Sequence, residues 1–221
     1  MHADKAVFEG NPFLGIFARA SGKLAFVPVN APERFEAKCR AVLKVEVARV
    51  TVADSNLIGI FGAFNSRGAA LSCLASESEV RRLKGLGLNV SRLRGRTTAV
   101  GSNVLANDRA ALVNPAMSAA DARAVGDALG VEVVKGTVAG YPTVGCAGIV
   151  TGKGLLVHGA TGDEELAELE TLFRVKGAQG TANMGVPFVG LSIVANASGY
   201  LAGEKTSGFE LSRVDEALGF V

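Results

Sequence analysis

Tryptophan is absent from this 221-residue chain, which holds only two tyrosines, two histidines and three cysteines. So few large aromatics argue against stacking platforms for single-stranded nucleic acid. An odd number of cysteines without close spacing excludes a disulfide framework, and points to a reducing cytoplasm and no metal site. The net charge is only +2, too small to draw the whole surface to nucleic acid. Met1–Glu9 has no apolar core segment, so no signal peptide is expected. The long uncharged stretch, Gly177–Gly203, holds six glycines and several asparagines and reads as a soluble strand pair rather than a membrane span.

Glycine is abundant instead, with 28 residues, and it is placed periodically. Gly15, Gly59, Gly101, Gly145 and Gly190 recur every 42 to 45 residues, each after an apolar residue and seven to nine residues before a turn. A period in this range marks an array of units that cannot bury their apolar faces alone. About sixteen residues after each glycine comes a helix-start signal: Asn30-x-x-Glu33, Ser76-x-x-Glu79, Ser118-x-x-Asp121, Thr161-x-x-Glu164 and Ser207-x-x-Glu210. Apolar residues follow at helical spacing, as in Phe35, Cys39, Val42 and Leu43, leaving the other face charged.

After the helices the pattern turns to strands at Val45–Val52, Leu88–Leu93 and Val131–Val138. The nearly continuous apolar run around each anchor glycine predicts a further strand, buried on both faces. The chain stops at Leu218–Val221, where the other units begin a post-helix strand, and it starts with a piece of that strand, Lys5–Glu9. Pairing the two ends would leave no open sheet edge. The sequence therefore predicts a closed five-bladed α/β propeller, strands inside and helices outside. It would be a single domain of five repeats, approximately 1–43, 44–86, 87–129, 130–173 and 174–221.

Little in the inventory suits catalysis. Cys146 with His158 is the one Cys–His pair that a hairpin could bring together, but Cys146 sits where the other units place Ile16, Ile60, Ser102 and Leu191, which marks a packing position and a small buried thiol. His2 lies in a tail. A basic cluster runs from Arg81 to Arg96, and Arg92, Arg94 and Arg96 alternate as they would on one face of a strand. Such a row suits a phosphate backbone or an acidic partner surface. A strand face kept soluble by charge gives the same pattern.

Several segments carry a resemblance. They are Phe8-Glu-Gly-Asn-Pro-Phe-Leu-Gly15, Asn107-Asp108 before Ala-Leu-Val113, and Thr137-Val-Ala-Gly-Tyr-Pro-Thr-Val-Gly145. Gly180-Thr-Ala-Asn183 and Ser207-Gly-Phe-Glu-Leu211 complete the set. From about Val7 to Val221 the chain resembles the translation initiation factor 6 family, ribosome anti-association factors of archaea and eukaryotes, and is similar to the archaeal branch. The resemblance implies the pentein fold, and binding to the intersubunit face of the large ribosomal subunit to block the small one. It also implies contacts with a ribosomal protein and near the sarcin–ricin loop of rRNA. No cofactor, DNA, membrane or turnover is implied, and a monomer is expected. Two positions depart from the family pattern: Ser102 stands where asparagine is common, and Met184 where a basic residue is frequent.

The pentein fold also serves guanidino-modifying enzymes, which here would have to use Cys146 and His158. A general RNA-binding protein using the arginine strand is a third reading. For ribosome binding, the turns of units two to four are the expected interface: Asn65, Arg67, Ser102, Asn107, Arg109 and Lys153. Ordinary turn chemistry accounts for each of these residues as well. Charge reversal at Arg67 and Arg109 is expected to weaken binding and leave thermal stability intact.

Overall fold

The fivefold period of the sequence becomes five three-stranded sheets around one axis in a computed structural model, which describes residues 2–221. The chain opens with β1 (Ala3–Ala6), and the first blade follows: α1 (Leu14–Phe17), β2 (Arg19–Ala20), β3 (Leu24–Pro28), α2 (Glu33–Leu43) and β4 (Glu46–Val50). The second holds α3 (Ile58–Phe61), β5 (Gly62–Phe64), β6 (Gly68–Leu71), α4 (Glu77–Gly85) and β7 (Asn89–Arg92). The third holds α5 (Val100–Asn103), β8 (Val104–Ala106), β9 (Ala110–Val113), α6 (Ala119–Leu129) and β10 (Glu132–Lys135). The fourth holds α7 (Val144–Ala147), β11 (Gly148–Val150), β12 (Gly154–His158), α8 (Asp163–Phe173) and β13 (Lys176–Gly180). The last holds α9 (Val189–Ser192), β14 (Ile193–Asn196), β15 (Gly199–Gly203) and α10 (Gly208–Ala217).

In each blade the inner strand is antiparallel to the middle one, and the outer strand is parallel to it. The fifth blade borrows its outer strand from the other end of the chain. There β1 pairs with β15, Ala3 opposite Tyr200 and Ala6 opposite Gly203. His2 is therefore not a loose tail: its Nε2 lies 3.0 Å from Asp215 and its ring stacks on Phe220. The inner strands β2, β5, β8, β11 and β14 touch in turn, and β14 returns to β2. The ring is closed.

The predicted strands around the anchor glycines are the main correction. Each of these segments is instead a one-turn helix, α1, α3, α5, α7 or α9, and the five touch in a second closed ring. An apolar run of this length reads alike as buried strand or buried helical turn. The glycines are required by close approach. A methyl group on Gly15 would overlap the Gly190 carbonyl, one on Gly59 that of Gly15, and so on through Gly101, Gly145 and Gly190 back to the start.

The five longer helices lie outside, and each fills the gap to the preceding blade. Helix α6 packs on β6 and β7, α10 on β12 and β13, and α2 on β15 and β1. Their apolar faces complete five core clusters, one of which joins Phe35, Cys39, Val42 and Leu43 to Phe8 and Leu201. Three of the five expected caps form: Ser76, Ser118 and Ser207 accept the N–H of Glu79, Asp121 and Glu210. The others slip by one or two residues. Pro32 replaces Asn30 as the cap of α2, and Gly162 replaces Thr161 as that of α8.

The slip in α8 keeps a carboxylate at the third helical position, now on Glu165. It and its counterparts also bind the turn that leaves the preceding blade. Glu79 accepts from Ala53 and Asp54 N–H, Asp121 from Arg94 and Gly95, Glu165 from Ala139, and Glu210 from Met184 and Gly185. Blade one has Phe35 at this position, packed edge-on against Phe8. Burial alone would raise the Glu210 carboxyl. Backbone N–H groups of Ser207 and Gly185 and the hydroxyls of Thr181 and Ser207 outweigh that, and hold it at about 2.

Candidate functional site

Because inner and middle strands are antiparallel, all five hairpin turns emerge at one end of the ring. The helices run back toward that end, so their C-terminal carbonyls surround the turns. The first residue of each turn is Ser21, Asn65, Asn107, Thr151 or Asn196, all buried. The three asparagines share one geometry. Asn65 Oδ1 accepts the N–H of Arg67 and of Gly68, both at 2.9 Å, while its amide donates to Asn107 O at 3.2 Å and Leu129 O at 2.8 Å. Asn107 donates likewise to Thr151 O and Phe173 O, and Asn196 to Ser21 O and Leu43 O.

Each asparagine thus shapes its own turn, then staples it to the next blade's turn and to the last carbonyls of the next blade's helix. Ser21 and Thr151 also accept the N–H groups of their turns. A hydroxyl is too short to span to the neighbour. Asn65 and Asn107 therefore present no side chain to a partner: they hold the turns. Asn196 does the same job and escaped the sequence reading, although it falls on the same phase of the repeat.

The third residue of each turn is Lys23, Arg67, Arg109, Lys153 or Ser198, and the four cations are exposed. Arg67 donates to Leu129 O at 3.1 Å and to Asp108 O, and Arg109 donates to Arg174 O. A helix C-terminus favours a cation there. Lys153 lies over the Phe220 ring, 5.2 Å from its centre. Lys23 lies outside the turns of units two to four that the sequence singles out, yet the phase of the repeat marks it. Arg67, Arg109, Arg123 and Arg174 border an open groove beside α6, with Asp108, Asp127 and Glu132 interspersed. Both signs at such spacing suit a protein surface with a few phosphates better than a continuous polyanion.

The remaining candidates lie elsewhere. Ser102 is buried in α5, at the opposite end of β8 from the turn at Asn107. Arg92, Arg94 and Arg96 do not form a strand face, because β7 ends at Arg92. Arg92 pairs with Glu77 at 2.8 Å and donates to Ala75 O. Arg94 and Arg96 follow in an exposed loop whose backbone is held by Asp121. Asp121 explains the break, since a carboxylate that captures two consecutive N–H groups ends the ladder.

Cys146 and His158 occupy different surroundings. Cys146 is buried in α7 near the axis. His158 packs among Tyr141 and Phe188, its Nδ1 accepting from Ala160 N–H, and burial lowers its pKa while Glu165 acts the other way. Among the described residues no hydrogen bond joins the two, so the geometry offers no thiol–imidazole pair.

The sequence profile of the eIF-6 family matches residues 3–217. Among similar proteins, translation initiation factor 6 of Pyrococcus horikoshii is 41% identical over 227 aligned positions that cover all of both chains. The proteins of the same name from Pyrococcus abyssi and Thermococcus onnurineus are 39% and 36% identical, also over the full length of both chains. Among the described residues no helix is long and apolar enough to cross a membrane.

Proposed function

This chain belongs to the eIF-6 family, whose members act in translation initiation, and from that premise we propose that it binds the large ribosomal subunit on its intersubunit face. Bound there, it prevents premature joining of the small subunit, and the same contact serves large-subunit biogenesis. It acts as a cytoplasmic monomer by occlusion, without cofactor or turnover. The contact is with a ribosomal protein of that face, near the sarcin–ricin loop of rRNA.

The observation that carries this reading is the row of exposed cations on the hairpin end, one per blade in four blades out of five. Lys23, Arg67, Arg109 and Lys153 meet the partner. Asn65 and Asn107 hold the turns in place, and Ser102 supports the axis. Arg92, Arg94 and Arg96, on the opposite end, stay outside this contact. A closed ring keeps the cations at fixed spacing, so little conformational entropy is lost on binding.

Sucrose-gradient co-sedimentation with purified archaeal subunits, with free-RNA controls, tests the reading. The expected result is migration with the large subunit alone and fewer joined ribosomes. Lys23→Glu with Lys153→Glu leaves the helix-end hydrogen bonds intact and is expected to release the protein. Absence of large-subunit binding would overturn the function, and full binding by the double variant would move the interface off this end.

A further inference from the structure

The inner strands carry one charge along the axis. Arg19 in β2 stands where the other blades have Ala63, Leu105, Ile149 and Val194. Its guanidinium donates to Gly190 O at 3.1 Å and Gly59 O at 2.9 Å, carbonyls of the blades on either side. Both acceptors are neutral. A guanidinium has five N–H donors, so two bonds leave others unused.

Arg19 also lines an axial cavity of about 50 Å³, whose wall includes Gly101, Gly145, Leu105, Ile149 and Val194. A second compartment of about 80 Å³ continues toward the hairpin turns between Asn65, Asn107, Thr151 and Asn196. Among the described residues no carboxylate lines the inner compartment. At the outer one Asp108 is the single acid, and its Oδ1 already accepts the Ser66 N–H at 2.8 Å. Among the described residues Arg19 forms no ion pair. Burial lowers its pKa, with the Cys146 thiol beside it acting the other way. Arg19 is only partly buried and faces this channel, and a cation drawn into so narrow a channel favours a counter-charge as well as hydrogen bonds.

We propose that this axial cavity binds one small monovalent inorganic anion, of halide size, on the free N–H groups of Arg19. A water needs about 10–15 Å³ of such space, so the cavity admits a halide with a water beside it. Room for a few waters is too small for a nucleotide or another bulky phosphate ester. The outer compartment is the route of entry. Since the acceptors of Arg19 belong to neighbouring blades, the anion would add to ring closure, independently of ribosome binding.

Crystals of the unmodified protein grown in sodium bromide test the proposal directly. An anomalous peak is expected in the cavity within about 3.4 Å of the Arg19 guanidinium, a charge-assisted contact somewhat longer than an N–H···O bond. In solution, Tm in sodium chloride is expected to exceed that in sodium gluconate of equal ionic strength by a few degrees, as for any ligand that binds only the folded state. Arg19→Met is expected to abolish both signals. Should that variant fail to fold, Ala106→Asp places a carboxylate in the same channel and is expected to remove the bromide peak and the chloride response while the ring stays folded. Water alone in the cavity of the bromide crystals, with equal Tm in the two salts, would overturn the proposal.

Discussion

The two ends of the ring are built from the same five blades and differ in almost every chemical respect. The hairpin end gathers helix C-termini and exposes Lys23, Arg67, Arg109 and Lys153. The opposite end gathers helix N-termini and buries carboxylates: Glu79, Asp121 and Glu210 are each under a tenth exposed. That end also exposes apolar side chains, with Met184 at 75% and Phe209 at 86%. The direction of the helices explains the contrast. Five parallel helix dipoles make one end of the ring favourable for cations and the other for anions. Buried acids therefore serve the fold, while the cations remain available to a partner.

The axis holds the two ends together, so the largest effect is expected there. Gly145→Ala places a methyl group against the Gly101 and Val104 carbonyls. Backbone cannot yield as a side chain can, and a loss of at least about 3 kcal/mol is expected in denaturant melts. A wild-type melting curve would show that the ring opens without strain.

Next comes the acidic end alone. Glu210→Ala leaves the N–H groups of Met184, Gly185 and Ser207 unpaired, and a loss of about 3 kcal/mol is expected. This end should also be the acid-sensitive one. The folded Glu210 carboxyl titrates at about 2, below its ordinary 4.5, and that of Glu79 is lowered too. Their contribution is complete above pH 4.5 and declines as pH falls toward 2. Tm should follow that window, and Glu210→Gln should flatten it; an equal slope in the variant would refute the assignment.

At the hairpin end, Asn107→Ala removes a staple between two blades. Urea melts should show a loss of about 2 kcal/mol, with the exposed cations untouched. Charge reversal of Arg67 with Arg109 is expected to weaken large-subunit binding at least tenfold, read by sedimentation. It will not leave stability intact, as the sequence alone suggested, because both side chains bind helix-end carbonyls; about 1 kcal/mol for each is expected. The smallest effect should be a gain. Thr151→Asn gives the fourth turn the amide it lacks, and an increase of about 1 kcal/mol is expected in the same melts.

Much of this was legible in the residues. The glycine period and the five helix starts gave the number of blades, and the strand fragment near the N-terminus gave closure, although it runs Ala3–Ala6 rather than Lys5–Glu9 and Leu218–Val221 adds no strand. Hydrophobic spacing gave the helix faces, Phe35, Cys39, Val42 and Leu43 among them. The candidate site was legible only in part. Arg67, Arg109 and Lys153 do stand exposed on one end, whereas Asn65 and Asn107 turned inward and Ser102 belongs to the other. Asparagine and arginine are equally ordinary in a turn, and only the neighbouring blade decides which of them has a carbonyl to reach.

What the sequence determined by itself was therefore the local and periodic part: element order, turn chemistry, helix faces and the count of five. Each follows from residues a few positions apart, within reach of one turn or one cap. Tertiary structure decided the conformation of the anchor segments and the fate of each polar side chain. An apolar glycine run becomes a helical turn only because the preceding copy of itself presses a carbonyl against it. Asn107 becomes a staple only because Phe173 O, 66 positions away, ends a helix beside it.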